Sequence, residues 1–238
     1  MPAELRRTAL WDLPVRLVHW SFVALIPALW WTAQHNIDLH KQLGLVMLGL
    51  VVFRLIWGFV GSQSARFGNF VRGPAVVIAY LRELRGAAHL PIAGHNAAGG
   101  WSVIILLGLL AIQVTLGTFA QNEDSVTGPL NYLVSYDTAE TLSGLHGLGF
   151  DLIVVFSLGH IAAIIYYTVV KKDRLVPPMI TGSRDFPADV KAPRMAPLWR
   201  AIPVILFAVA LAWWIGKGAP TSLAQLNAEP APNAEDYM

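Results

Sequence analysis

Five long apolar stretches, separated by shorter polar segments, dominate the pattern of this chain. Each approaches the roughly 20 mainly apolar residues that a helix needs to cross a bilayer. No internal repeat is evident. The pattern predicts an all-α integral membrane protein whose five spans are approximately Val15–Trp31, Leu39–Val60, Gly99–Ala120, Leu145–Val170 and Leu198–Ile215.

The first stretch could be mistaken for a signal peptide, because Arg6 and Arg7 precede it. However, Arg16 and His19 interrupt its apolar run, and no small-x-small cleavage site follows Trp31. We therefore interpret it as a retained transmembrane helix.

Three connecting segments have patterns or compositions that predict their structure. Residues Pro74 to Arg85 have the pattern of a short amphipathic helix lying on the membrane surface. Val176–Pro197 holds five prolines and several charges, which favours little regular structure. Residues 218–238 are rich in Pro, Ala and acidic side chains and are predicted to form a flexible tail.

Basic residues concentrate in the segments on one side of the predicted topology, and short loops rich in Lys and Arg face the cytoplasm. The loop 121–144 contains no Lys or Arg. We therefore expect a bacterial inner membrane protein with a cytoplasmic N-terminus and a periplasmic C-terminus. The basic residues on the inner side are Arg6, Arg7, Arg16, Arg66, Arg72, Arg82, Arg85, Lys171, Lys172, Arg174, Arg184, Lys191, Arg194 and Arg200, and the acidic residues of loop 121–144 are Glu123, Asp124, Asp137 and Glu140.

Composition narrows the possible chemistry. The chain is 55% hydrophobic and 13% charged, with a mean hydropathy of +0.52, as expected of a membrane protein. Its net charge of +2 is unremarkable, and we predict no nucleic-acid partner. Cysteine is absent, which excludes disulfides, thiolate-bound iron–sulfur clusters and covalently attached c-type haem. A redox cofactor would have to be held by histidine or by packing.

Four histidines fall at two depths of the predicted helices. His146 and His160 are fourteen residues apart in the fourth span, which places them about 21 Å apart on nearly the same helix face. His146 opens that span on the outer side, level with His40, whereas His160 lies toward the cytoplasm, level with His19. The other loop histidines, His35 and His89, are predicted to lie at the surface.

Bis-histidine ligation of haem requires such an arrangement, because two imidazoles must approach the iron from opposite faces of the porphyrin. Iron with six ligands has no open position for a substrate, so such a haem relays electrons. Two other interpretations remain open. Each histidine could make an interhelical hydrogen bond, or the histidines could form a zinc or copper transport site.

The chain also resembles the prokaryotic cytochrome b561 family, which groups with the b-type cytochrome subunits of nickel–iron hydrogenases. The resemblance covers about residues 9–184 and rests on the segments Trp11–Trp20 (WDLPVRLVHW), Phe53–Gly61 (FRLIWGFVG) and Ala65–Pro74 (ARFGNFVRGP), on Gly94-His95-Asn96, and on Leu145-His146 with His160.

The resemblance implies a four-helix haem-binding bundle with two b haems and with His19, His40, His146 and His160 in the ligand positions. It further implies electron transfer across the membrane between the quinone pool and a redox partner. The sequence departs from the family in having a fifth span, about residues 198–216, and Gly147 where relatives often have a carboxylate.

Several further residues are candidates for cofactor contacts. Arg54 lies fourteen residues after His40, where it could bind a propionate of the inner haem or extend to the lipid headgroups. Arg16 and Arg72 are weaker candidates of the same kind. His95, with Asn96, could contact an inner propionate or a quinone head group. Gly44, one turn after His40, is expected to face a porphyrin.

The sequence therefore predicts a membrane di-haem cytochrome b, with one end meeting quinone or quinol. The other end would meet a periplasmic c-type cytochrome, another redox subunit, or superoxide. One alternative is an anchor and electron-transfer subunit for a hydrogenase, dehydrogenase or c-type cytochrome, docked through loop 121–144 and the tail. The other is a non-redox metal transporter.

Overall fold

The computed structural model describes residues 5–84, 94–122, 126–188 and 190–220. Within them, the five predicted spans are confirmed as helices long and apolar enough to cross a membrane. These are Leu13–His35 (α1), Ile37–Val60 (α2), Ala97–Phe119 (α5), Tyr136–Val169 (α6) and Ala201–Gly216 (α8), the last continuing a 3-10 turn at Leu198–Arg200.

Shorter elements connect the long helices. Three are helices, namely Phe67–Phe70 (α3), Pro74–Glu83 (α4) and Val176–Thr181 (α7), and two are strands, Leu5–Ala9 (β1) and Ser183–Pro187 (β2). The predicted residues Arg85, His89, Glu123 and Asp124 and most of the tail, residues 221–238, lie outside the part of the chain that the structure describes.

Capping residues determine where four of the long helices begin. Asp12, Asn36, Asn96 and Ser135 each accept a backbone N–H of the first turn with their side-chain oxygen. The first-turn N–H groups of a helix have no intrahelical acceptor, so such a cap stabilises the helix start. Asp12 also accepts a hydrogen bond of 3.0 Å from Nε1 of the fully buried Trp57, which ties α1 to α2.

The sequence interpretation placed the start of α6 too late. The helix begins at Tyr136, after the cap Ser135, and not near Leu145. Apolarity marks where a helix enters lipid, whereas this helix already forms in the polar segment before it. With 34 residues, α6 is about 51 Å long and exceeds the roughly 30 Å hydrocarbon layer. His146 therefore lies about three turns inside a continuous helix.

The segment Val176–Pro197 is also more ordered than its prolines predicted. Pro177 and Pro178 occupy the first turn of α7, where proline is tolerated, and Gly182 ends that helix with φ +85°. β2 then pairs antiparallel with β1, from Leu5 opposite Pro187 to Ala9 opposite Ser183. We call the end of the bundle where β1, β2, α3, α4 and α7 gather the basic end.

The amphipathic helix predicted after Pro74 is present as α4, with no buried residue. Its apolar side chains Val76, Ile78 and Leu81 are exposed, as expected of a helix at a membrane surface. Tyr80, in the same helix, is partly buried, and its hydroxyl is hydrogen-bonded to that of Tyr167. This contact ties α4 to the inner part of α6.

Helix α2 is central, because it packs against α1, α5 and α8, while α5 also packs against α6. A buried cluster of Met47, Val51, Leu107, Leu110 and Ile153 fills the middle of the bundle. Met47 is midway between His40 and Arg54, and Ile153 is midway between His146 and His160. The apolar core therefore separates two polar levels.

Candidate functional site: two levels of histidines

The outer level contains a facing pair of histidines from α2 and α6. The ring centres of His40 and His146 are 6.3 Å apart, and their planes are nearly perpendicular, at 87°. Imidazole nitrogens bind metals at about 2 Å, and a ring centre lies about 1 Å from its nitrogen, so two axial imidazoles have centres about 6 Å apart. The spacing of the two rings fits a metal between them.

The orientation of both rings is fixed by backbone carbonyls. Nδ1 of His40 lies 2.9 Å from the Leu29 carbonyl oxygen, and Nδ1 of His146 lies 3.0 Å from that of Gln113. A carbonyl oxygen only accepts, so Nδ1 is the donor in each ring and Nε2 carries a free lone pair. Hydrogen bonding of this kind orients metal-binding histidines.

A glycine in α5 makes the His146 contact possible. In a helix, the carbonyl of Gln113 lies beside residue 117, and here residue 117 is glycine. A Cβ atom at Gly117 would lie 3.0 Å from Cε1 and 3.4 Å from Nδ1 of His146. The Gln113 side chain completes the connection, since its Nε2 donates to the His146 carbonyl at 2.9 Å.

We predict that Gly117→Ala displaces the His146 ring and weakens cofactor binding at the outer level. Loss of such a supporting interaction typically lowers metal affinity about 10- to 100-fold. Gly108→Ala, in the same helix, is the matched control, because no atom lies within 4 Å of a Cβ there. Titration of the cofactor-depleted variants with haem measures the effect. Equal affinities for the two variants would contradict this prediction.

A large cavity surrounds the outer pair. It has a volume of about 1000 Å³, at the upper end of the range for cofactor pockets, and both His40 and His146 line it. Gly44 also lines it, and a Cβ there would meet nothing within 4 Å. The absence of a side chain at Gly44 therefore leaves open space on the cavity wall one turn after His40. The volume of the cavity, the spacing of the two imidazoles and their fixed tautomers together fit a haem.

The inner level contains His19 of α1 and His160 of α6, the two residues predicted to be partners there. Nδ1 of His160 is 3.1 Å from the Ser102 hydroxyl of α5. His19 lies edge-on to Trp20, with ring centres 5.2 Å apart. Each histidine of this level therefore has a side-chain neighbour, Trp20 for His19 and Ser102 for His160.

Buried nitrogen atoms without hydrogen-bond partners concentrate at this level. Within the described residues, Arg16 Nε, His19 Nδ1, Arg54 Nη1 and His95 Nδ1 are buried and unpartnered. Buried polar groups are usually satisfied, so a cluster of nitrogen donors suggests a place for an anionic or hydrogen-bonding group. The propionates of a haem have the required chemistry.

The three candidate arginines differ in environment. Arg54 is only 6% exposed, so it does not extend to the lipid headgroups, and its guanidinium lies 5.2 Å from the centre of the Phe67 ring. Arg16 is half-buried and donates to the Ile180 carbonyl. Arg72 is exposed and donates to the Asn69 carbonyl at 2.8 Å. Burial favours Arg54 most as a cofactor contact.

His95 and Asn96 have separate roles. Asn96 caps α5 and donates through Nδ2 to the Tyr167 hydroxyl at 3.1 Å. His95 lies between Trp11 and Phe70, with ring centres 4.6 Å from each. Burial and the nearby positive charge of Arg54 lower the pKa of His95 to about 3, which keeps its ring neutral. Of the two, His95 is the better placed to meet another molecule.

Sequence reasoning missed the groups that support the histidines. Ser102 and Gln113 interrupt the apolar run of α5 at the inner and outer levels, and that interruption could have identified them. The role of the Leu29 and Gln113 carbonyls could not be identified from the sequence, because every residue has a carbonyl. His35 stacks on Trp31 at 4.6 Å and is exposed, as predicted for a surface residue.

A bundle of membrane-spanning helices with facing imidazoles is typical of haem-binding membrane proteins. The family model described as prokaryotic cytochrome b561 matches residues 10–182, so the chain belongs to that family. It is accordingly a multi-pass bacterial membrane protein and a b-type cytochrome of electron transfer, a class that holds haem b.

One curated relative supports this membership. The probable Ni/Fe-hydrogenase B-type cytochrome subunit of Rhodobacter capsulatus is 29% identical over 164 residues, which cover 63% of each chain. The match thus spans less than two thirds of that relative's length. No solved structure matches this chain.

Proposed function

We propose that this protein is a transmembrane di-haem cytochrome b that passes electrons between the quinone pool and a redox partner. The outer haem would be ligated by His40 and His146, and the inner haem by His19 and His160. The facing of His40 and His146, with both Nδ1 atoms donating to carbonyls, is the observation on which the proposal mainly rests.

The outer site favours haem over a transported metal. Zinc sites take four ligands or three ligands and a water, with carboxylates and thiolates common among them. No group of three or more His, Asp or Glu side chains that could hold a metal ion occurs among the described residues. Two imidazoles with centres 6.3 Å apart, beside a cavity of about 1000 Å³, instead suit a macrocycle that supplies the other four ligands.

The inner site favours a haem for a different reason. Arg54 is buried with an unpartnered Nη1, and a buried guanidinium needs an anionic or hydrogen-bonding partner. Haem would supply two carboxylates for such a partner, and His19 and His160 would hold its iron. When bound, each haem would supply a one-electron redox centre with no open coordination position.

The spacing of the levels supports electron transfer between them. His146 and His160 lie in the same continuous helix, about 21 Å apart along its axis. The porphyrin edges would be closer than the irons, so an electron could tunnel directly. The apolar cluster between the levels excludes water and keeps the two centres separate.

A quinone head group would bind at the inner level, beside His95. Its neutral imidazole could form a hydrogen bond with a quinone or quinol oxygen, and Trp11 and Phe70 provide an apolar slot. The basic end would face the cytoplasm, because Lys and Arg concentrate there. Electrons would therefore cross between the inner-membrane quinone pool and a partner at the periplasmic surface.

A second candidate function is an anchor and electron-transfer subunit within a larger complex. The name of the Rhodobacter capsulatus relative favours it, because that protein is described as a hydrogenase subunit. The polar turns of α6 before His146 extend beyond the span and offer a docking surface with Asp137 and Glu140. In this case a c-type cytochrome or another redox subunit would be the obligatory partner.

Quinol oxidation by the purified chain distinguishes these functions. The protein alone, in detergent, should reduce its haems with a soluble quinol, and His95→Ala should slow that reduction more than His35→Ala. Haem reduction by dithionite but not by quinol would favour the anchor. Equal rates for the two variants would contradict the quinone site beside His95.

A further inference from the structure

The fifth helix forms part of the wall of the outer cavity. It packs along α2 through Ala201, Val204, Ala208 and Ala212, which are buried on one face. Gly49 of α2 permits this approach, since a Cβ there would already touch Ala208 and Ala212 at 3.7 Å. The end of the helix, residues 216–218, lines the cavity that also contains His40 and His146.

Contacts on two sides fix the position of this helix end. A Cβ at Gly216 would lie 2.7 Å from the Leu45 side chain, so α8 and α2 touch there. The next glycine, Gly218, adopts φ +78°, and its carbonyl accepts a 2.9 Å hydrogen bond from the Tyr132 hydroxyl. Lys217, between these glycines, is thus held at the cavity.

A second lysine lines the same cavity. Lys41 directly follows the proposed ligand His40 in α2. Neither Lys41 nor Lys217 forms an ion pair with another described residue. Asp151 also lines the cavity, but it lies five residues beyond His146 toward the middle of the bundle.

The lining of the cavity is apolar on one side and cationic on the other, which suits an amphipathic ligand. Its inner wall includes the buried apolar residues Met47, Leu110 and Ile153, whereas Lys41 and Lys217 lie toward the ends of their helices. Haem has an apolar macrocycle and two carboxylates on one edge. Two ammonium groups match those two carboxylates in number and in sign.

We propose that Lys41 and Lys217 bind the propionates of the outer haem, so that the fifth helix completes a cofactor site. This inference rests on the proposed ligation by His40 and His146. Carboxylates taken into a cavity with apolar walls lose hydration, and the two lysines would offset that cost as cationic partners. Each lysine would offset the negative charge of the propionate that it binds, and an unpaired propionate would disfavour reduction of the iron.

The test measures the midpoint potential of each haem by spectroscopic redox titration at low salt. Lys41→Gln and Lys217→Gln should each lower the reduction equilibrium constant of the outer haem about tenfold, or about 59 mV for one electron. The inner haem should be unchanged in both, which also shows that the variants fold. Lys191→Gln, at an exposed lysine of the basic end, is the matched control.

Haem dimethyl ester, whose propionates are neutral, separates propionate binding from a general charge effect. In protein reconstituted with the ester, the Lys217→Gln and unaltered chains should have equal outer potentials. Equal potentials with native haem, or a shift that persists with the ester, would overturn the inference. Retention of the outer haem in His146→Ala would instead overturn the proposed ligation, so the two failures are distinguishable.

Discussion

Replacing His146 by alanine is expected to remove the outer haem and leave the inner one. Haem content should fall from about two to about one per chain, because one imidazole cannot hold a six-coordinate b haem in place. His40→Ala should have the same effect, since the two rings face each other at 6.3 Å. Haem extraction with protein quantification, together with the reduced absorbance spectrum, measures the loss.

The chain offers a matched control in His35→Ala. His35 lies five residues before His40 but stacks on Trp31, and Nδ1 is hydrogen-bonded to the Trp31 carbonyl. This variant should keep both haems. Added imidazole should restore the outer haem in His146→Gly, because the free ligand replaces the missing side chain. Full haem content in His146→Ala would refute the outer ligand assignment.

Replacing His160 by alanine should remove the inner haem and stop electron transfer across the membrane. The remaining outer haem would then be separated from the basic end by the apolar core, and tunnelling falls steeply with distance. Vesicles with an internal oxidant and an external reductant measure the transfer. The His160→Ala rate should not exceed that of vesicles without protein, although the outer haem should still be reduced from its own side.

Ser102→Ala is a milder perturbation of the inner haem site than His160→Ala. Its hydroxyl lies 3.1 Å from Nδ1 of His160, so the variant loses a supporting contact but retains the ligand. We expect it to keep both haems and shift the potential of the inner one only. Normal transmembrane transfer by His160→Ala would show that the inner ligand assignment is wrong.

The spans and the spacing of the histidines along them could be predicted from sequence, because helical rise and hydropathy are nearly independent of tertiary structure. Fourteen residues fix about 21 Å in any straight helix, and the apolar runs identify the spans. Ring orientation could not be predicted, because it depends on the Leu29 and Gln113 carbonyls and on the missing side chain at Gly117. Such contacts form only when α1, α2, α5 and α6 pack together.

The two errors of the sequence interpretation have a common origin. Polar composition was equated with loop structure, yet residues from Tyr136 to Gly144 form helix and Ser183–Pro187 forms a strand. The Ser135 cap stabilises the helical residues. Pairing with β1, which is distant along the chain, stabilises the strand. For example, Nε of Arg7 donates to the hydroxyl of Ser183, 176 residues away. The surroundings of Lys41 and Lys217 likewise appear only once α8 packs on α2.

Haem stoichiometry tests the central claim most directly. The purified chain should contain about two b haems, with the low-spin spectrum of iron bound by two imidazoles, and no covalently attached haem. The two haems should titrate at separate potentials, because their surroundings differ in charge. A single haem per chain, or a colourless protein with bound zinc, would contradict the account.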